Sequence, residues 1–189
     1  MSAALEELHR PRPPRLRRPP APTRPAGRFV AVVGRSGGGK STLVRTPADK
    51  ARLLPALDTS NREKSELAPL VAIVAHDLEF WRQLRRLYPH VDAAAWFRDD
   101  PATARETAFR NGTLRAAYLI VALRALGLDV GAVSGFDADQ VNRGFFASTT
   151  LEANFICNIG YGDHSELKPR LPRLGYGEIL HPSTTATGH

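Results

Sequence analysis

The sequence predicts an α/β domain of layered α+β type, and three observations carry that expectation. Short apolar runs alternate with helical patterns, glycine and proline punctuate the junctions, and 42% hydrophobic against 24% charged residues is ordinary globular composition. A chain of 189 residues fits one domain, or one domain with an appendage. The single cysteine, Cys157, excludes an internal disulfide and any multi-cysteine zinc site, and it suits a reducing compartment. No apolar run nears the roughly 20 residues that span a bilayer, and the N-terminus lacks the apolar stretch of a secretory signal. A cytoplasmic protein without membrane association is expected. No internal repeat is visible.

The formal net charge of +7 sits mostly at one end. Residues 1–28 hold seven arginines against Glu6 and Glu7, and seven of the fifteen prolines lie between Pro11 and Pro25. Proline removes backbone donors and arginines repel one another, so residues 1–27 are expected to form a disordered, extended basic tail. No aromatic residue interleaves the arginines to stack on bases. The tail is therefore read as a leader, and nucleic acid is not an expected partner.

From Arg28 the composition changes. Phe29-Val30-Ala31-Val32-Val33 is a continuous apolar run that predicts a buried parallel strand. Directly behind it, Gly34-Arg35-Ser36-Gly37-Gly38-Gly39-Lys40-Ser41-Thr42 satisfies G-x-x-x-x-G-K-[ST]. In such a loop the glycines turn backbone N–H groups toward phosphate oxygens. Lys40 reaches the β- and γ-phosphates, Ser41 ligates Mg²⁺, and the following helix adds its dipole. Gly34, Gly39, Lys40, Ser41 and Thr42 are thus candidate ligands for ATP-Mg. Gly27–Arg45 resembles the Walker A region of ABC-importer ATP-binding subunits. The remaining parts of an ATPase are not found: LVAIVAHD (70–77) ends in an aspartate with no glutamate behind it, and Ser134-Gly135-Phe136 is not a signature loop. Pro47 also breaks the helix expected after Ser41. ATP turnover is not expected.

The body follows in order. Thr46-Pro47 reads as an N-cap and first helical position, opening a short helix to Leu54. Leu70–Ala75 predicts a buried strand, and Phe80–Tyr88 a helix with Trp81, Leu84 and Leu87 on one side. Asp100-Pro101 opens the longest helix, which runs to about Leu126 and closes at Gly127. On it Leu114, Tyr118, Val121 and Ala125 recur at three- and four-residue steps, so that face belongs in the core or at a subunit interface. Gly131–Asp137 predicts a glycine-punctuated loop that lets backbone approach a ligand. Asp137–Phe145 predicts a short helix and Asn154–Ile159 a buried strand. Gly160–Asp163 reads as a turn, and Leu167–Arg173 as an extended basic segment.

Beyond these elements, Leu43–Leu180 resembles the flavin-dependent nitroreductase superfamily, and within it the malonic semialdehyde reductases of pyrimidine catabolism. The segments that carry the resemblance are VRTPADKARLLPAL, APLVAIVAHDLEFW, YPH, WF, ETAFRNGTLRAAYLIVALRALGLDVGAVSGFD, FF, NIGYGD and RLPRL. It implies an FMN-dependent NAD(P)H oxidoreductase, working as a homodimer, that reduces malonic semialdehyde or a similar small aldehyde to 3-hydroxypropanoate. It assigns a backbone N–H of Ser134-Gly135 to N5 of the flavin, Lys168 and Arg170 to the FMN phosphate, and Gly160 and Tyr161 to the same end of the cofactor. No catalytic side chain and no metal ligand is implied. His76, His90 and His164 are proton-donor candidates by residue type alone, and a structural histidine is the favoured reading of each. The family's arginine-rich phosphate contact and P-[ST]-x-x-N flavin loop, which precede the matched region, have no counterpart. The expected fold is therefore a truncated nitroreductase-like domain over 46–180, behind a strand and phosphate-loop segment at 28–45 and ahead of a flexible tail at 181–189. The alternatives are an ATP-binding fragment of an ABC-type ATPase, or an inactive remnant.

Overall fold

The computed structural model describes residues 39–163, 165 and 167–180. The basic tail, the strand expected at Phe29–Val33, Gly34, His164 and the segment 181–189 lie outside the described residues. Four strands form an antiparallel sheet in the order β1-β2-β4-β3: β1 (Gly39–Val44), β2 (Leu70–Asp77), β3 (Asp129–Val133) and β4 (Leu151–Gly160). The layered α+β class holds.

β1 corrects the phosphate-loop expectation. Gly39, Lys40, Ser41 and Thr42 do not curl around a ligand and start a helix. They extend, and the strand pairs with β2 from Gly39↔His76 to Val44↔Val71. The reason is competition for the same residues. Thr46 already caps the next helix, accepting a bond from Asp49 N–H at 3.1 Å, which leaves barely one helical turn after Ser41. An extended segment instead gains a six-residue ladder and buries Val44.

That next helix, α1 (Pro47–Leu53), ends in a 3₁₀ turn at Leu54–Ala56. α2 (Thr59–Leu67) follows, an element the sequence reading did not contain. α1 packs with the later α6 (Ala138–Phe145) on one face of the sheet, where Leu53, Leu57, Val71, Ile73, Val133, Val141 and Ile156 are among the buried core residues. Alternate residues of β2 point the other way: Ala72 and Val74 meet Ala116, Cys157 and Ile159 under the long helix α5 (Pro101–Ala125).

Between β2 and α5 the chain makes a 3₁₀ turn at Phe80–Gln83, then α3 (Leu84–Leu87) and α4 (Ala95–Arg98). Here Phe80, and not Trp81, is the buried anchor of its turn. A last short helix, α7 (Tyr176–Ile179), lies in the C-terminal segment.

α5 is capped as expected: Asp100 accepts from Thr103 N–H at 3.0 Å, and Gly127 follows the last turn at φ +82°. Of the two places expected for the Leu114, Tyr118, Val121 and Ala125 face, the core and a subunit interface, the core is taken by a different face. Ala104, Ala108, Gly112 and Ala116 recur every four residues and lie against the sheet, because small side chains let helix and sheet backbones approach closely. Leu114, Tyr118 and Val121 fall on the opposite side and are 63%, 73% and 65% exposed. The loop expected over Gly131–Asp137 is also shorter, since Gly131–Val133 completes β3.

Two glycines give a controlled comparison, because a Cβ at either Gly127 or Gly144 meets no atom within 4 Å. Gly127→Ala forces an L-residue into a left-handed conformation and is expected to cost about 1 kcal/mol. Gly144→Ala, inside α6, is expected to gain about 0.5–1 kcal/mol from helix propensity. Urea unfolding of the two variants checks the opposite signs.

Candidate functional site

The loop Ser134–Asp137 leaves β3 at the same sheet end as Gly39, Asp77 and Leu151, as the strand registers show. It is pinned to the 3₁₀ turn and to the start of α2. Asp58 N–H donates to Gly135 O at 3.0 Å, Asn61 Nδ2 donates to the same oxygen at 3.1 Å, and Asp137 N–H donates to Ala56 O at 2.8 Å. Leu57 and Phe136 form an isolated antiparallel bridge. Phe136 N–H closes a tight turn onto Ser134 O at 3.1 Å. None of these bonds uses the Gly135 N–H.

Gly135 is a glycine for steric reasons, not conformational ones. Among the described glycines, positive φ occurs at Gly127 and not here. A Cβ at Gly135 would instead sit 2.4 Å from Asp58 Oδ2 and 2.7 Å from Asn61 Nδ2. Asp58 and Asn61 are thus the residues that the sequence reading missed. The signal available for them was the N-cap pattern Asp58-Thr59 ahead of an unrecognised helix. Beside this loop lies an open cleft of about 620 Å³ between Pro55–Ser60, Arg62, Asp137 and Gln140.

The other residues assigned by resemblance lie elsewhere in the described structure. Gly160 pairs with Asp129, at the sheet end opposite the Gly135 loop. Its lack of a side chain has a local cause: a Cβ there would stand 2.6 Å from Pro69 Cδ. Tyr161 is 62% exposed, and Lys168 and Arg170 are exposed in a segment without regular structure. Among the described residues, no hydrogen bond or ion pair ties Lys168 or Arg170 to the Gly135 loop. Lys40, on β1, stands 4.0 Å from Asp77 Oδ2 as a cross-strand ion pair.

His76 is buried on β2, its Nε2 3.5 Å from Glu152 Oε2 and its ring edge-on to Phe109. Arg105 reaches the same carboxylate oxygen at 2.8 Å, and among the described residues His76 Nδ1 finds no hydrogen-bond partner. Burial holds the His76 pKa below its ordinary 6.5, with Glu152 opposing and Arg105 reinforcing the shift. Cys157 is buried, and desolvation pushes its thiol up to about 11, which leaves it protonated and unreactive at neutral pH. His90 is exposed on the loop after α3. Among the described residues, no group of three or more His, Cys, Asp or Glu side chains is placed to hold a metal ion, and no helix is long and apolar enough to cross a membrane.

No protein-family model matches the chain. Its backbone is similar to those of several solved nitroreductase-type proteins. The protein ydfN of Bacillus subtilis superposes with a TM-score of 0.65 at 21% identity, over 77% of each chain. A protein of Exiguobacterium sibiricum crystallised in complex with FMN gives 0.68 at 18% identity, over 76% of each chain. A nitroreductase family protein of Streptococcus pneumoniae gives 0.61 at 23% identity, over 76% of this chain and 78% of that one. At these identities the likeness is one of fold, and the chain has the nitroreductase-like fold.

The neutral, buried His76 makes stability depend on pH with a definite sign. The unfolded chain takes up a proton near 6.5 and the folded one only at lower pH, so stability falls as pH drops from 6.5 through the folded-state value. His76→Leu removes that titration and the orphaned nitrogen. Its melting temperature is expected to fall less between pH 7.5 and pH 5 than that of the parent. The two site glycines should also separate. Gly135→Ala displaces only side-chain tips and the Asn61 bond, for about 1 kcal/mol, whereas Gly160→Ala drives a methyl into the rigid Pro69 ring, for about 1–3 kcal/mol. Chemical denaturation ranks them.

Proposed function

We propose that this chain is an FMN-dependent NAD(P)H oxidoreductase of the nitroreductase type, a cytoplasmic homodimer that reduces malonic semialdehyde or a similar small aldehyde to 3-hydroxypropanoate. The observation that carries the reading is the Gly135 loop. A main-chain N–H left out of the loop's own bonds is held rigidly by two neighbouring elements, at the residue pair that the sequence resemblance assigns to flavin N5. The space that a Cβ would fill there is closed by Asp58 and Asn61, so the loop is built for close packing and a fixed aim.

When bound, FMN would supply the hydride chemistry between NAD(P)H and an aldehyde. The chain's own part is binding and orientation. Gly135 N–H would donate toward the redox-active nitrogen and would need no titration to do so. Lys168 and Arg170 would supply the cations for the phosphate, and their exposure leaves both accessible to an anion. Tyr161, at the start of the same segment, contributes an aromatic surface, and Gly160 packed on Pro69 sets the direction in which that segment departs. The homodimer reading is supported by the bulky face of α5, where Leu114, Tyr118 and Val121 point away from the chain's own core.

The test is optical. Purified protein mixed with FMN is expected to carry flavin absorbance, to sediment as a dimer, and to couple NAD(P)H oxidation to aldehyde reduction. Lys168→Ala and Arg170→Ala are each expected to weaken FMN about 10- to 100-fold, the loss of one charge-assisted hydrogen bond. Riboflavin, which lacks the phosphate, should bind both variants as it binds the parent. A colourless protein, or equal losses for the two flavins, overturns the assignment.

A further inference from the structure

The excursion between β2 and α5 forms, against α5, a second open concavity of about 370 Å³ that shares no lining residue with the cleft beside Gly135. Its walls are apolar. Phe80 and Phe97 meet edge to face at 5.0 Å, and Leu84 and Leu87 of α3 complete the floor. Trp96 and Tyr88 stand at the rim, 61% and 48% exposed. Among the described residues no charged side chain lines the site, although 24% of the chain is charged.

Besides the Tyr88 hydroxyl and the Trp96 indole N–H at the rim, Thr107 and Asn111 interrupt this surface, both half-buried on α5. Among the described residues neither side chain makes a hydrogen bond. Four residues apart on one helix, they present neighbouring groups about 5–6 Å from Cβ to Cβ, the reach of a single small polar edge. The Asn111 amide offers both a donor and an acceptor, and the Thr107 hydroxyl either one.

We propose that this concavity binds a small, neutral, planar molecule with an amide-type edge, its N–H and C=O held by Asn111 and Thr107 and its ring resting on the apolar floor beneath the rim aromatics. The volume falls inside the range of about 300–1,000 Å³ typical of ligand sites, and a few converging polar groups in an apolar wall is their usual chemistry. The missing charge selects against ions, since a carboxylate or ammonium would lose its hydration with no counter-charge to replace it. An amide edge pairs with both side chains in place of water and lets the rim aromatics cover its ring.

The chain has two tryptophans, so Trp81→Phe leaves Trp96 as the sole indole reporter at the rim. Titrating the full-length Trp81→Phe protein with benzamide is expected to change its fluorescence saturably. Benzoate and benzylamine, of the same size but charged, should bind at least about 10-fold more weakly. Asn111→Leu should weaken benzamide about 10-fold. Should that variant lose its circular dichroism signature, the isosteric Thr107→Val, with a several-fold loss, gives the same reading. Absence of a saturable change, equal affinity for the three probes, or unaltered benzamide binding in folded variants overturns the proposal. Because the titration contains no FMN, its failure leaves the oxidoreductase reading standing, and a colourless protein leaves this one standing.

Discussion

The whole arrangement depends on the burial of β2. Val71 to Ala75 are almost fully inaccessible, and the strand is paired on both edges, with β1 on one side and β4 on the other. Its side chains alternate between two cores, Val71 and Ile73 beneath α1 and α6, Ala72 and Val74 beneath α5. A strand in that position fixes the register of its neighbours, because a one-residue slip would exchange the two sets of side chains. With each buried Val or Ile side chain contributing about 1.5–3 kcal/mol, β2 sets where every other element can lie.

The site inherits its rigidity from that frame. β4 is held along β2, β3 along β4, and the loop after β3 is then bonded to the turn before α2. The Gly135 main chain is therefore positioned from two directions, by the sheet behind it and by Asp58 and Asn61 beside it. Gly160 illustrates the opposite case, in which packing against Pro69 accounts for the absence of a side chain without any ligand. The residues beyond it, with Lys168 and Arg170, leave from the far end of the sheet and lie exposed.

β1 is the most instructive departure. Gly39–Thr42 belongs to a motif whose usual context is a loop and a helix, yet it forms one continuous strand with Leu43 and Val44, across the point where the two sequence resemblances meet. Motif spacing records which residues are present. The partner available to them decides their conformation, and here the partner is the free edge of β2.

Much of the fold was legible in the chain itself. Asp100-Pro101 and Gly127 mark the ends of α5, Thr46-Pro47 the start of α1, and Leu70–Ala75 a buried strand, because caps and apolar runs act over a few neighbouring residues. What only the tertiary structure decided are contacts between distant segments: Asp58 and Asn61 against Gly135, Pro69 against Gly160, and the choice of the small-residue face of α5 for the core. Periodicity shows that a helix has an apolar stripe. Which of two stripes meets the sheet depends on how closely the backbones can approach, and that distance exists only once the strands are in place.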